Sequence, residues 1–151
     1  LAPTDFSECS LAGFDYAVQL AREFKAELRL IHVINPHLYP FGDKYAALDP
    51  VQLMDKAAHV AENQMRSMAA GAKARYSVRA IQGAPAIQIR NAANEDVDLI
   101  VISTHGRTGL GHILIGSVAE HVVRYAHCPI LVIPARRNPV NSTSTLKNED
   151  A

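Results

Sequence analysis

The chain has 151 residues and a formal net charge of zero, from 15 Lys and Arg against 15 Asp and Glu. That balance excludes a protein held to nucleic acid or to a membrane surface by bulk charge, and no apolar run reaches the length of a membrane span. The length suits one domain with a sizeable core. Two cysteines, Cys9 and Cys128, lack CxxC spacing. They read as small apolar fillers in a reduced, cytoplasmic compartment, and no signal peptide is evident.

In chain order, Leu1–Pro3 are apolar and precede turn formers. Strands average about 5–6 residues, so the numbering is expected to start partway through a first strand. Leu11, Phe14, Ala17, Val18, Ala21 and Phe24 recur at helical spacing. "LRLIHVI" (28–34) reads as a buried parallel strand. "NPHLYPFGDKYAALDP" (35–50) reads as a loop, punctuated by prolines. Met54, Ala57, Ala58, Ala61, Met65 and Met68 mark a second helix closed by Gly71, with the methionines as core filler. "ARYSVRAI" (74–81) reads as a strand, and "GAPAIQIRNAANE" (83–95) as a helix with Pro85 in its first turn. "DVDLIVIS" (96–103) is the most strand-like segment; a glycine-rich loop, the helix "SVAEHVVRYA" (117–126) and the strand "CPILVIP" (128–134) follow. Residues 136–151 form a polar tail without periodicity, leaving a single domain over 1–135.

Strands alternating with helices predict an α/β fold: an open five-stranded parallel sheet, right-handed crossovers, and helices on both faces. Such sheets bind ligands outside the carboxyl ends of their strands. Three segments fall there: Pro3–Asp5, His32–Asn35 and the loop after the fourth strand.

That loop carries Gly106, Gly109, Gly111 and Gly116. Glycines let a ligand approach the backbone closely. "SVAE" fits a capping box, in which Ser117 caps the helix and Glu120 reaches back. The free amides and positive dipole end of that helix would make an anion site. The competing reading is a flexible loop ending in an ordinary capped helix. Neither the P-loop pattern nor the dinucleotide fingerprint occurs. Seven histidines show no metal-ligand spacing, so no metal site is expected from them. His32 reads as a satisfied polar group on a strand, His105 as a loop residue within reach of phosphate. Tyr39, Phe41 and Tyr45 read either as a lid or as local loop packing.

"PTDFSE" after strand one, "HVI" ending strand two and "STHGRTGLGHILIGSVAEHVVRYAHCPILVIP" together resemble the universal stress protein family, over Leu1 to about Pro134. Its nucleotide-binding branch carries G-2x-G-9x-G-[ST]; here Gly106, Gly116 and Ser117 match, and Ser103 replaces the first glycine. The resemblance implies a Rossmann-like sheet of order 3-2-1-4-5. It implies that Asp5 and Val33 meet the adenine and ribose, with Pro3 beside them, and that Ile102 and Ser103 line the floor. Gly106, Gly116, Ser117 and Val118 would give amides to phosphates, Ser117 a hydroxyl as well, and Arg107 charge. Ser103 would donate to a phosphate or ribose oxygen, or crowd a triphosphate.

The expected function is that of an adenine-nucleotide-binding (ATP or AMP) regulatory or sensor module in stress response, with Mg²⁺ or Mn²⁺ as a companion ion. The alternatives are a nucleotide-free dimeric adaptor and a weak ATP hydrolase; no catalytic residue is assigned. Cys128–Pro134, an apolar edge strand, is expected to pair with a second copy as a homodimer.

Overall fold

A computed structural model of the chain describes residues 1–36, 49–104 and 116–134. The elements alternate as the sequence predicts: β1 (Ala2–Pro3), α1 (Glu8–Glu23), β2 (Leu28–Ile34), α2 (Pro50–Ala69), β3 (Tyr76–Gln82), α3 (Pro85–Ala93), β4 (Ile100–Ser103), α4 (Ser117–Tyr125) and β5 (Ile130–Ile133). Among the described residues no helix is long and apolar enough to cross a membrane.

Two helices begin earlier than their apolar stripes. Ser7 caps α1 by accepting from the Ser10 amide at 3.2 Å, so a polar first turn precedes Leu11. Asp49 caps α2 through the Val51 amide at 3.0 Å, and Pro50 occupies the first turn, where its missing N–H costs nothing. The end of the segment read as loop is therefore a helix start. α2 also stops at Ala69, two residues short of Gly71. β5 is shorter than Cys128–Pro134; at its start Pro129 lacks the inward amide that would extend the ladder toward Cys128.

All pairings are parallel, β1 with β2, β2 with β3 and β4 with β5, but they form two ladders instead of one continuous five-stranded sheet. Leu1 joins them. Its amine donates to the Leu99 carbonyl at 2.8 Å and its carbonyl accepts from the Val101 amide at 2.9 Å. These are the two bonds of a parallel partner facing Ile100. The order across the molecule is thus β3-β2-β1-β4-β5. The seam is thin because β1 contributes only Ala2 and Pro3, and proline donates nothing.

Side-chain alternation sorts the core into two layers. On one face Ala2, Leu28, Leu30 and Val101 pack with Ala17 and Ala21 of α1 and with Met65 and Ala69 of α2. On the other, Ile31, Ile100 and Ile102 pack with Ile89, Ala92 and Ala93 of α3 and with Ala119 and Val122 of α4. Helices therefore cover both faces; Met54 and Met65 are buried core filler as expected, while Met68 is half-exposed. Cys9 and Cys128 are free and half-buried, and Cys128 packs against the second layer.

The two outer strands differ. The bonds Leu28 N to Arg75 O (2.8 Å) and Gly83 N to Ile34 O (2.9 Å) turn the odd-numbered amides of β3 inward. The outward Ala80 amide is taken by Glu62 of α2 at 3.4 Å. On β5, the bonds Ile100 N to Pro129 O and Thr104 N to Ile133 O, both 3.0 Å, turn Leu131 and Ile133 inward. The Ile130 and Val132 amides face outward.

Ile100 is wholly buried in the second layer. Ile100→Ala should cost about 2–5 kcal/mol of stability, as truncation of a packed core residue does. Urea denaturation measures it; a loss under about 1 kcal/mol would contradict this packing.

Candidate functional site

The turn after β1 is built from hydroxyls. The Thr4 amide donates to the Ile31 carbonyl at 2.9 Å, holding the chain against β2. Phe6 takes a left-handed φ of 63°, with its amide on Thr4 Oγ1 at 3.0 Å. Ser10 Oγ donates to the Ser7 carbonyl at 2.9 Å, which spends its one proton. Thr4 is therefore the donor in the 3.0 Å Thr4–Ser10 hydroxyl pair. Asp5 Oδ1 accepts from the Ser7 amide at 3.1 Å and the Ser7 hydroxyl at 2.5 Å. Burial pushes the Asp5 carboxyl upward, but the hydrogen bonds from the Ser7 hydroxyl and amide outweigh it and hold the carboxyl below its ordinary range. Asp5 is an anion at neutral pH.

His32 ties the end of β2 to this turn. Its Nδ1 lies 2.8 Å from the Thr4 carbonyl, which can only accept, so Nδ1 carries a proton. The ring packs on Phe6 with centroids 4.6 Å apart. The reading of His32 as a satisfied polar group on a strand holds. Pro3 and Val33 are half-buried at the same strand ends, Val33 against the second core layer.

At the end of β4, Ile102 is 6% exposed and sealed among α3 and α4 residues, so it can present only backbone to a ligand. Ser103 faces the opposite side. Its hydroxyl donates to the Cys9 carbonyl of α1 at 2.6 Å and not into the crevice, contrary to the expected donation to a ligand oxygen.

Thr104 and Gly116 close the next loop. The Gly116 amide donates to the Thr104 carbonyl, while the Thr104 amide is held by Ile133 of β5. The chain thus returns at Gly116 to the point where it left the sheet. This corrects two expectations. The Gly116 amide is spent inside the protein and is not free for a phosphate. The capping box is not formed: Gly116, at φ −56° and ψ 148°, is itself the N-cap, and no side chain caps the helix. Ser117 becomes the first helical residue, which moves Glu120 one position too far along to reach back. The Glu120 carboxylate pairs instead with Arg124 at 2.9 Å. The first intrahelical bond runs from the Glu120 amide to the Gly116 carbonyl at 2.8 Å. The amides of Ser117, Val118 and Ala119 are therefore left without helical partners.

Pro3, Asp5, Val33, Ile102, Ser103 and 116–118 thus gather at one end of the sheet. Gly106 and Arg107 lie outside the described residues, as do Gly109, Gly111, His105, Tyr39, Phe41, Tyr45 and the tail from residue 136. Sequence reasoning did not single out Thr4, Ser7, Ser10 or Gly13. The spacing of Thr4, Ser7 and Ser10, three residues apart, was the available signal for a capped turn.

Comparison with known proteins bears on this geometry. The model of the universal stress protein family matches residues 1–134. Universal stress protein MJ0531 of Methanocaldococcus jannaschii is 35% identical over 135 residues, covering 87% of this chain and 78% of that protein. The solved structure of universal stress protein UspA from Lactobacillus plantarum aligns with a TM-score of 0.72 at 26% identity, covering 87% of this chain and 94% of that one. A universal stress protein solved in complex with cAMP aligns with a TM-score of 0.63 at 26% identity, covering 89% and 94%. With a family match across nearly its whole length, the chain belongs to the universal stress protein family.

Proposed function

We propose that this protein binds an adenine nucleotide, ATP or AMP, at the carboxyl ends of β1, β2 and β4, and serves in the cytoplasm as a regulatory or sensor module in stress response. The observation that carries the reading is the start of α4: three amides without helical partners, no side-chain cap and a positive dipole end, at the mouth of the glycine-rich loop. The relative solved with cAMP, a nucleotide of the same base, supports it. Ser117 and Val118 give their amides, and Ser117 its hydroxyl, to the phosphates, aided by Gly106 and Arg107. Pro3, Asp5 and Val33 hold the ribose and base, and Mg²⁺ or Mn²⁺ accompanies a polyphosphate. Gly116 acts by shaping the loop and not by donating its amide.

The backbone of Gly116 has a negative φ that any residue adopts. Gly116→Leu should therefore fold and obstruct the phosphate site, weakening ATP and AMP binding tenfold or more by calorimetry. Unchanged affinities would reject the phosphate assignment. Turnover is expected to stay at background, since no Walker lysine is present. A rate of about 1 s⁻¹ or faster with Mg²⁺ or Mn²⁺, abolished by Asp5→Ala, would instead establish a hydrolase.

Among the described residues no strand pairs with the outer edge of β5, which supports a homodimer. Ile130 and Val132 pack into the second core layer and Ile133 into the first, while Leu131 is 36% exposed. Pairing β5 with its own copy across a two-fold axis satisfies the outward Ile130 and Val132 amides and covers Leu131. Val132→Pro deletes one outward donor and should yield a folded monomer by light scattering. A wild-type monomer at tens of micromolar, or a folded Pro variant that stays dimeric, would reject the interface.

A further inference from the structure

We propose that Ser103 is a positioning residue: its hydroxyl tethers the start of the glycine-rich loop to the Cys9 carbonyl of α1, in a notch that Gly13 keeps open. This rests on the nucleotide reading for its functional consequence, and on geometry for the tether itself.

Ser103 stands where the family pattern has its first glycine. A side chain there threatens to fill the space a phosphate or ribose needs. Strand alternation removes the threat. Ser103 lies on the same face of β4 as Val101, which packs in the layer beneath α1. The Ser103 Oγ continues in that direction and donates to the Cys9 carbonyl at 2.6 Å. A hydroxyl has one proton, so this one is not available to a ligand.

The notch exists because α1 carries glycine at position 13. A Cβ placed on Gly13 would sit 2.5 Å from Ser103 Oγ and 3.6 Å from the Ser103 amide nitrogen. The first distance is too short for any side chain, so a methyl there must evict the hydroxyl from its present rotamer. Residues 13 and 103 are therefore one unit: a serine is tolerated at the end of β4 because its partner on the helix has no side chain.

The tether also links the two halves of the site. Cys9 lies in the first turn of α1, two residues beyond Ser7, whose amide and hydroxyl hold Asp5. Ser103 lies one residue before Thr104, which closes the loop through Gly116. The hydrogen bond therefore fixes the loop's departure point relative to the Asp5 turn. Losing it shifts the phosphate side against the ribose side without touching either ligand end.

The test uses the full chain with Ser103→Ala, Ser103→Gly, Gly13→Ala and the double variant Ser103→Gly/Gly13→Ala. Affinities for ATP and AMP come from calorimetry, and thermal midpoints from the ligand-free protein. Ser103→Ala should weaken both nucleotides by a common factor of roughly two to twelve, the value of one hydrogen bond, leaving their ratio unchanged. Gly13→Ala should do the same and lower the midpoint. In the Ser103→Gly background Gly13→Ala should have little further effect, because the clashing oxygen is gone. The tether is wrong if Ser103→Ala changes the ATP-to-AMP ratio tenfold or more while Gly13→Ala changes nothing, since the hydroxyl then faces the crevice. It is equally wrong if the two substitutions lower the midpoint additively. A wild-type protein that binds neither nucleotide rejects the functional reading alone, and the midpoints of the four variants still decide the tether.

Discussion

The middle of this molecule is its weakest hydrogen-bonded element. β1 contributes two residues, one of them a proline, yet it stands between two ladders and must join them. Backbone bonding across the seam reduces to the two bonds of Leu1. What holds the halves together is the packing above and below. α1 spans the seam on one face, with Ala17 and Ala21 in one buried cluster with residues of both ladders. Ile31 of one ladder and Ile100 and Ile102 of the other share the opposite layer. Small residues along α1 are the consequence. A helix that must lie close over a short strand carries Gly13, Ala17 and Ala21 on its buried face. The hydroxyl notch at Ser103 is a by-product of that close approach.

The same short strand places the chemistry. Because β1 ends at Pro3, the chain turns at once into Thr4–Ser10, beside the ends of β2 and β4. The helices that start after β1 and β4 treat their positive ends differently. α1 neutralises its own: Ser7 caps it, and the Asp5 carboxylate sits on the Ser7 amide and hydroxyl. α4 has no side-chain cap, and Gly116 contributes only backbone. An anion arriving at the strand ends is thus drawn to α4 and repelled by Asp5. The proposed placement of phosphates at α4 and of a neutral, hydrogen-bonding ribose near Asp5 agrees with that asymmetry.

How much of this was legible in the sequence follows from which signals are periodic. The core strands 28–34 and 100–103 and the apolar stripes of α1 and α2 announce themselves by spacing, and both were placed within a few residues. Helix starts were not, because a polar first turn such as Glu8–Ser10 carries no apolar signal and Asp49–Pro50 looks like loop chemistry until the helix is seen to follow it. The capping box at Ser117 failed for a reason no local pattern contains. The break in the chain is set by the long-range bond from Gly116 to Thr104, which moves the cap one residue upstream. Ser103 is the same lesson. Its meaning depends on Gly13, ninety residues away, and on which face of β4 it occupies.

Asp5 decides between a binding site and a hydrolase. Among the candidate site residues it is the one carboxylate, so it would have to serve as base or water-positioning group. A base works best when its pKa lies near the working pH. The hydrogen bonds from Ser7 move Asp5 the other way, below the ordinary carboxylate range, despite the upward push of burial. They stabilise the anion and make it a poor proton acceptor. One oxygen, Oδ1, is already shared by the Ser7 amide and hydroxyl. A carboxylate so arranged is built to accept hydrogen bonds from a ligand without changing its own protonation. That suits the proposed contact with a ribose better than the role of base in the alternative hydrolase reading.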